Sequence, residues 1–582
     1  MKDHKRLLFV CAALFIMLIS KSATPQDRGQ SGRQKGSKQN VQLRAKQELY
    51  LSKMDGKKRP YAVCVTDDSP GLKPLIVIMG PGVSDKVYED GSMGKRMLAA
   101  ATYAETAKDA SKSCVVIRTT GRGPGSRCQN YGEVDVLEAI EDVCAKYPID
   151  RDRISIHGNS MGGAAVYYLV SRFPDMFSCA VPTAGYCDYR LWEKPGGSTF
   201  HMAEWEEPSW QARSAVFLPE NFEHTPMWIM HGEWDRAIKG NVPVEHSRQM
   251  NCVLSDMGFN VKYTEAPGEG HGFVYKEEIR QMFIPWMLEQ KKIRNPLHVK
   301  FATYWLRHNK SYWVAVDQLG KYGKRGAIDA TLEPQKNSID VNTENVKVFT
   351  LGPIERDSAV SVTVNGKDLR AVDLSRAQTF HCKDGKTWKN ETVDLSSEKR
   401  KGCSGPISDI FFDEVIRVKG TTGTDEEDFH INNVAGFARG RFLLTNGGLH
   451  RGGVAGENSV TLRGVEDGKL TEEDRKAKNL LLFGTDKTNS VLKSFEGKLP
   501  ISFGDKSVTL YGKKYEGKKV SAFAIFPHPE NPSRYVAVHG GVTPDAIVWG
   551  CYLNLLLLPD YLVYDGGKML DWGFANNDWQ LE

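Results

Sequence analysis

A serine stands inside a five-residue pattern that could carry out nucleophilic chemistry. Residues 158–162 read GNSMG and fit the arrangement G-x-S-x-G. An apolar, strand-like run (Ile154–His157) precedes the pattern, and residues 163–172, which permit a helix, follow it. A nucleophile elbow requires this order of strand, turn and helix, because the turn lifts the hydroxyl above the sheet and the flanking glycines give it room. We therefore expect Ser160 to be a catalytic nucleophile.

An acid and a histidine follow Ser160 in the order that such a site needs. Asp235 lies just after the strand-like run Met227–Met230, and His271 lies in the glycine-rich segment GEGHGF. We expect His271 to take the serine proton and return it to the leaving group, while Asp235 orients the imidazole and stabilises its charge. A capping aspartate and a solvated loop histidine are the alternative interpretations.

The oxyanion hole of such a site needs two backbone donors. The N–H of Met161, directly after the nucleophile, is the first expected donor. The second should come from the loop after the strand-like run LIVIM at residues 75–79. Because proline has no N–H, Gly82 and Val83 are better candidates than Pro81.

Residues 186–224 are rich in tryptophan and glutamate and are predicted to lie between two strands of the sheet. Insertions of this kind often cover a catalytic site, so Tyr186 and Trp205 are candidates for binding substrate. A solvated protein face is the alternative. The acidic candidates for shaping specificity are Glu204, Glu206 and Glu207.

The elements that would position these groups alternate between strand and helix patterns, which is typical of a mainly parallel sheet. The sequence predicts an α/β fold of the α/β-hydrolase type, with helices on both faces of the sheet. An antiparallel β module is predicted next, with Asn365-Gly366 as a hairpin turn, and then a further α/β or α+β region. The predicted segments are a signal peptide (1–23), a basic disordered linker (24–46), the catalytic domain (47–295), the β module (296–375), a loop (376–407) and the C-terminal region (408–582).

The first residues of the chain are typical of a secretory signal peptide. A positively charged start precedes the apolar run Leu7–Ile19, and small residues follow near position 23. The apolar run is shorter than the ~20 residues that usually span a bilayer. We therefore expect a secreted or periplasmic protein with no stable membrane span after cleavage. An uncleaved anchor is the alternative.

Composition limits the other classes of function. The net charge of +5 over 582 residues is mild and gives no reason to expect a nucleic-acid partner. Eleven cysteines are scattered without a CxxC pair, so a zinc ribbon is not indicated. We expect no metal and no organic cofactor, and a small ester or peptide as the partner.

Residues 60–292 resemble the catalytic domain of the prolyl oligopeptidase superfamily. The matching pieces are GRGPGSRCQNYGEVDVLEAIEDV, YPIDRDRISIHGNSMGG, MHGEWDRAI and GEGHGF, in the order of that family. The resemblance implies an α/β-hydrolase fold and a triad of Ser160, Asp235 and His271. More weakly, the C-terminal half is similar to the tails of large exported hydrolases of environmental bacteria.

One departure from that superfamily bears on the substrate. True prolyl oligopeptidases carry a β-propeller before the catalytic domain, whereas about 40 residues separate the signal from this domain. We therefore favour an ester substrate, such as an acylated carbohydrate or a feruloyl-type ester. A serine peptidase is the alternative, and a non-catalytic exported binding protein is another.

Overall fold

The computed structural model describes residues 43–80, 93–122, 128–192, 203–235, 242–354, 359–438 and 462–581. The predicted signal peptide and nearly all of the predicted linker lie outside these ranges, as do Gly82 and Val83. Residues 41–582 form one compact unit. In the part of the chain that the structure describes, no helix is long and apolar enough to cross a bilayer.

An eight-stranded sheet underlies the N-terminal half, in the order β1-β2-β4-β3-β5-β6-β7-β8. The strands are β1 (Lys46–Leu51), β2 (Lys58–Val65), β3 (Lys73–Met79), β4 (Val115–Arg118), β5 (Ile149–Asn159), β6 (Cys179–Thr183), β7 (Met227–Gly232) and β8 (Val261–Ala266). Strands β3 to β8 are parallel, and the hairpin of β1 and β2 is antiparallel at one edge. Because carboxyl ends of parallel strands meet at one edge, loops after β3, β5, β7 and β8 can build a common site.

Helices cover both faces of this sheet. They are α1 (Gly94–Asp109), α2 (Tyr131–Lys146), α3 (Met161–Arg172), α4 (Tyr189–Trp192), α5 (Glu207–Arg213), α6 (Glu245–Asp256) and α7 (Glu277–Glu289), with short 3-10 turns at Ala215–Phe217, Pro219–Phe222 and Phe273–Tyr275. One apolar core lies under α1 and α7, and another lies under α2, α3 and α6. The predicted mainly parallel sheet with helices on both faces is confirmed.

Two five-stranded sheets follow and enclose one apolar core between them. Their orders are β10-β11-β14-β17-β18 and β16-β15-β13-β12-β9. The strands are β9 (His298–Thr303), β10 (Lys310–Ser311), β11 (Val314–Leu319), β12 (Gly326–Glu333), β13 (Ser338–Glu344), β14 (Val346–Leu351), β15 (Val360–Val364), β16 (Lys367–Val372), β17 (Gln378–His381) and β18 (Lys389–Asn390), with 3-10 turns at Leu306–His308 and Pro334–Lys336. Strands β17 and β18 lie inside the segment predicted as a loop, because pairing with β14 orders residues whose own pattern is weak.

A mixed seven-stranded sheet in the order β20-β19-β21-β26-β25-β27-β28 forms the C-terminal region, beside a small sheet of β22, β23 and β24. The strands are β19 (Val415–Lys419), β20 (Arg463–Glu466), β21 (Asn479–Phe483), β22 (Ile501–Phe503), β23 (Ser507–Leu510), β24 (Lys513–Glu516), β25 (Val520–His528), β26 (Asn531–Gly541), β27 (Tyr561–Asp565) and β28 (Lys568–Gly573). The helical segments are α8 (Asp425–Ala438), α9 (Glu472–Ala477) and α10 (Ser490–Ser494), with 3-10 turns at Ile407–Phe412, Asp467–Lys469 and Ala546–Tyr552.

One face of the C-terminal sheet packs directly on the N-terminal half. A single buried cluster joins Leu481 and Phe523 of that sheet to Tyr131, Ala164 and Tyr186. The partly buried side chain of Met161, which follows Ser160, packs against the same cluster. The C-terminal region therefore supports the elements that carry the candidate site.

Candidate active site

Ser160 occupies a strained turn between β5 and α3. Its φ of 60° is positive, which is uncommon for a residue with a side chain. Its backbone N–H donates to the Thr183 carbonyl at 3.0 Å, which ties the turn to the neighbouring strand. A Cβ added at Gly162 would lie 2.6 Å from the Met79 carbonyl oxygen, and one at Gly163 would lie 2.6 Å from that of Thr183. Gly162 and the adjacent Gly163 therefore permit the close backbone approach that this turn needs.

Asp235 and His271 come together at the same edge of the sheet. The loop after β7 carries Asp235, and the loop after β8 carries His271. Nδ1 of His271 lies 2.6 Å from Oδ2 of Asp235, a distance typical of a charge-assisted hydrogen bond. The carboxylate is fully buried, whereas the imidazole remains a quarter exposed. This arrangement leaves Nε2 of His271 as the nitrogen that can exchange a proton with another group.

A second histidine, His231 at the end of β7, also contacts the acid. Its Nε2 lies 3.0 Å from Oδ2 of Asp235, and its Nδ1 lies 2.7 Å from Oγ of Ser247. Burial acts to raise the pKa of Asp235, but the hydrogen bonds from His231 and His271 outweigh it and leave the pKa below its ordinary value. Asp235 is therefore held as a carboxylate, the form that can orient and stabilise a protonated His271.

The hydroxyl of Ser160 is not hydrogen-bonded to His271 among the residues that the structure describes. In ligand-free serine hydrolases this contact is often long and tightens when substrate binds. Both residues are partly exposed, at the carboxyl ends of strands of one sheet. The structure thus joins two of the three predicted residues directly and places the third at the same sheet edge.

Met161 is the first residue of α3, so its N–H belongs to the helix start, where backbone donors have no partner within the helix. A developing oxyanion is favoured there by the hydrogen-bond donor and by the helix dipole. The other expected donors, Gly82 and Val83, fall outside the described residues, and they stay a prediction.

The two candidate substrate-binding aromatics occupy different positions. Tyr186 is fully buried and lies edge-on to Tyr189, with 5.0 Å between ring centroids. Its side chain packs in the core and offers no surface to a substrate, which corrects that expectation. Trp205 is partly buried and lies edge-on to Trp549 of the C-terminal region at 6.3 Å.

Sequence reasoning missed two exposed aromatic residues beside the site. Trp234, next to Asp235, is 64% exposed, and Tyr275, four residues after His271, is 66% exposed. The Tyr275 ring lies close to Gly272, and its hydroxyl lies 3.3 Å from the Asn159 side-chain nitrogen. Large exposed aromatics near a candidate site are candidates for an interaction surface. The sequence feature that could have identified them is their position close to the predicted acid and histidine.

In the described ranges, no group of three or more His, Cys, Asp or Glu side chains is placed to hold a metal ion. The ten described cysteines are free thiols, and seven of them are buried. Most of them therefore act as small apolar residues in the packing.

Comparison with known proteins finds a family model that is similar to the central segment. Residues 128–290 match the model of the prolyl oligopeptidase family. An uncharacterized secreted protein of Arthroderma benhamiae is 35% identical over 264 residues, which are 40% of this chain and 26% of that protein. A probable chloroplastic glutamyl endopeptidase of Arabidopsis thaliana is 26% identical over 148 residues, 25% of this chain and 15% of that protein. The chain thus spans about a quarter or less of the length of these relatives.

Solved structures include similar chains as well. A thermostable esterase is 24% identical with a TM-score of 0.30, covering 42% of this chain and 63% of its own. The acylaminoacyl peptidase of Pyrococcus horikoshii is 16% identical with a TM-score of 0.34, covering 44% of this chain and 43% of its own.

Proposed function

We propose that this chain is a serine hydrolase that works through an acyl-enzyme on Ser160, because residues 128–290 match the model of the prolyl oligopeptidase family. The observation that carries the proposal is the 2.6 Å hydrogen bond between His271 and the buried Asp235, at the sheet edge that also holds the strained turn of Ser160. A buried carboxylate, a partly exposed imidazole and a serine at a helix start are the parts that acyl transfer needs.

Each residue has one role in the proposed reaction. Nε2 of His271 takes the proton as Oγ of Ser160 attacks the substrate carbonyl, and the Met161 N–H donates to the oxyanion that forms. His271 then protonates the leaving group, so the acyl-enzyme remains on Ser160. Water, deprotonated by the same imidazole, releases the acid and restores the serine. Asp235 keeps its negative charge throughout and stabilises the imidazolium.

We place esters first among the substrates. An alcohol departs more readily than an amine, so an ester asks less of His271 as a general acid than an amide does. Acylated carbohydrates and feruloyl-type esters are the proposed class, and the exposed rings of Trp234 and Tyr275 could stack on a sugar or a phenolic group. The second candidate is a serine peptidase, which the family and the name of the glutamyl endopeptidase relative favour.

We also propose that the protein is exported. The positive start and the apolar run at residues 7–19 support this, and the relative from Arthroderma benhamiae carries a secreted name. N-terminal sequencing of the mature protein from culture fluid checks the proposal. A start near residue 24 is expected, and an intact N-terminus in the cell fraction would contradict it.

A fluorophosphonate probe tests the chemistry, because it labels an activated serine covalently. The purified protein should label, and Ser160→Ala should not, while Ser255→Ala, which changes an exposed serine on α6, should label normally. Labelling that survives Ser160→Ala would overturn the proposal. Kinetics on short acyl esters and on peptide amides then rank the two substrate classes.

A further inference from the structure

An arginine with no ion-pair partner among the described residues lies at the edge of the candidate site. Arg118 is the last residue of β4, and its side chain is partly buried. The Nε atom of Arg118 is buried and makes no hydrogen bond, and within the described residues no carboxylate forms an ion pair with this side chain. Burial lowers the pKa of Arg118 from its ordinary value, which indicates how poorly its charge is compensated.

Such a charge is unusual inside a protein. Buried arginines are almost always paired, because removing a cation from water without a partner costs several kcal/mol. Arg122, four residues later, follows the rule: it lies 3.1 Å from the carboxylate of Asp55 and 2.6 Å from the Ser52 hydroxyl. Arg118 therefore differs from Arg122 in having no counter-ion among the residues that the structure describes.

The Arg118 side chain points toward the elbow. A Cβ added at Gly80, the residue after β3, would lie 2.3 Å from Nη2 of Arg118. Gly80 in turn faces the elbow, since a Cβ added at Gly162 would lie 3.1 Å from its Cα. The Gly80 backbone, at the end of β3, thus lies between the Arg118 guanidinium of β4 and the Ser160 turn that follows β5. A side chain at position 80 would fill the space that the guanidinium occupies.

The position along the sheet decides which part of a substrate Arg118 can reach. In the order β4-β3-β5-β6-β7-β8, Arg118 lies on one side of Ser160, and Asp235 and His271 lie on the other. His271 protonates the leaving group, so the leaving group must lie on the β7 and β8 side. The acyl group then extends toward β3 and β4.

We propose that Arg118 is a specificity-determining residue that binds a carboxylate on the acyl part of the substrate. The substrate class is an acyl compound with a second, ionised carboxyl group, such as a half-ester of a dicarboxylic acid or an acidic acyl residue. This inference rests on the proposed function of Ser160 and deepens it. The planar guanidinium suits a carboxylate because it can donate two parallel hydrogen bonds.

Two substrates that differ in one charge test the proposal. Monomethyl adipate and methyl hexanoate have similar length, and hydrolysis of each is followed by titration of the acid released. The wild-type protein should prefer monomethyl adipate in kcat/KM. Arg118→Met should lower kcat/KM for monomethyl adipate about 10- to 100-fold, the range for hydrogen bonds to charged groups, and change that for methyl hexanoate less than about 3-fold. Arg118→Lys should recover part of the loss.

Arg153→Met is the matched control. Arg153 is a partly buried arginine of β5, it donates to the Leu288 carbonyl at 2.7 Å, and it lies near the start of the strand, away from the elbow. Its removal should leave the ratio of the two activities unchanged. Equal losses on both substrates in Arg118→Met, or no preference in the wild-type protein, would overturn the proposal.

Two further measurements separate this inference from the proposed function. Fluorophosphonate labelling of each variant reports Ser160 independently of any carboxylate. Calorimetric binding of adipate, which needs no turnover, should be at least about 10-fold weaker in Arg118→Met than in the wild-type protein. Equal adipate binding by both proteins overturns the role of Arg118, whether or not Ser160 labels. Failure of labelling with selective adipate binding overturns the hydrolase alone.

Discussion

Nε2 of His231 lies 3.0 Å from Oδ2 of Asp235, the same oxygen that accepts the hydrogen bond of His271. The His231 imidazole is completely buried and is fixed at its other nitrogen by the Ser247 hydroxyl. The candidate acid is therefore held in place from within the protein, independently of the histidine that would exchange protons. His231 is a positioning residue for Asp235.

His231→Phe should lower kcat about 10-fold, because the buried carboxylate loses one hydrogen bond and its orientation relaxes. Asp235→Asn should be far more harmful, about 10,000-fold, since it removes the charge that stabilises the imidazolium. Steady-state kinetics on a short acyl ester measures both. His231→Gln, whose amide can still donate, should recover part of the activity. A loss in His231→Phe as large as that in Asp235→Asn would show that His231 does more than position the acid.

Gly163→Ala should damage both stability and activity. The added Cβ would lie 2.6 Å from the Thr183 carbonyl oxygen and 2.8 Å from Cα of Gly185, backbone atoms that cannot swing away. We expect a loss of about 2–3 kcal/mol in the free energy of unfolding, together with weaker labelling of Ser160, because the elbow must shift. Urea unfolding measures the change in the free energy of unfolding.

Gly94→Ala is the control for that change. Nothing lies within 4 Å of a Cβ added at Gly94, and the residue begins helix α1. The substitution should leave stability unchanged or slightly raised, since alanine favours helix. If Gly163→Ala were equally harmless, close approach of the backbone would not be what requires glycine in the elbow.

The fold of the N-terminal half could be predicted from the sequence because its signals are local. The apolar runs that became β3, β5 and β7 are bounded by turns, and the elbow needs small residues at fixed spacing around Ser160. The hairpin signal Asn365-Gly366 was equally local: both residues have positive φ, and β15 and β16 pair across them.

The remaining features depend on contacts between distant residues. The C-terminal region was predicted as α/β or α+β, but no periodicity could indicate that it packs on α5 through Leu556, 343 residues away from Arg213. Nor could composition separate Arg118, which has no counter-ion in the described part of the chain, from the paired Arg122, because the difference lies in which side chains meet in space. Tyr186 was a candidate for binding substrate because of its position in the sequence. Its side chain is fully buried and packs in the core, which the sequence alone could not indicate.

Arg213 stabilises the contact between the N-terminal half and the C-terminal region. It is fully buried and donates to the Leu556 carbonyl at 2.9 Å and to the side-chain oxygens of Gln129 and Asn130 at 2.7 and 3.0 Å. Arg213→Met would leave all three acceptors without this donor. We expect the free energy of unfolding to fall by about 2–4 kcal/mol, measured by urea unfolding.

Limited proteolysis adds a second measurement on Arg213→Met. Cleavage between the N-terminal half and the C-terminal region should be faster than in the wild-type protein. Arg151→Met removes an exposed ion pair with Glu141 and should change stability by less than about 1 kcal/mol. Similar effects of the two substitutions would mean that the Arg213 contacts do not hold the halves together.

Glu206, beside Trp205, should make stability depend on pH. Burial raises the pKa of Glu206 from 4.5 to about 7, only partly opposed by a hydrogen bond from the Ala203 backbone. Between these two values the folded protein keeps a proton that the unfolded chain releases, so the free energy of unfolding falls as the pH rises through this window. Glu206→Gln cannot ionise, so it should be more stable than the wild-type protein by about 1–3 kcal/mol at pH 8 and similar to it at pH 4.

Urea unfolding of the wild-type protein and Glu206→Gln at several pH values between 4 and 8 measures that difference. Glu204→Gln is the control, because Glu204 is an exposed carboxylate in the same segment and its loss should leave the pH profile parallel to that of the wild-type protein. A stability difference between Glu206→Gln and the wild-type protein that stays constant with pH would mean that Glu206 is ionised in the folded protein. In that case the carboxylate must be solvated or paired, and the segment around Trp205 must be more open to water than its burial indicates.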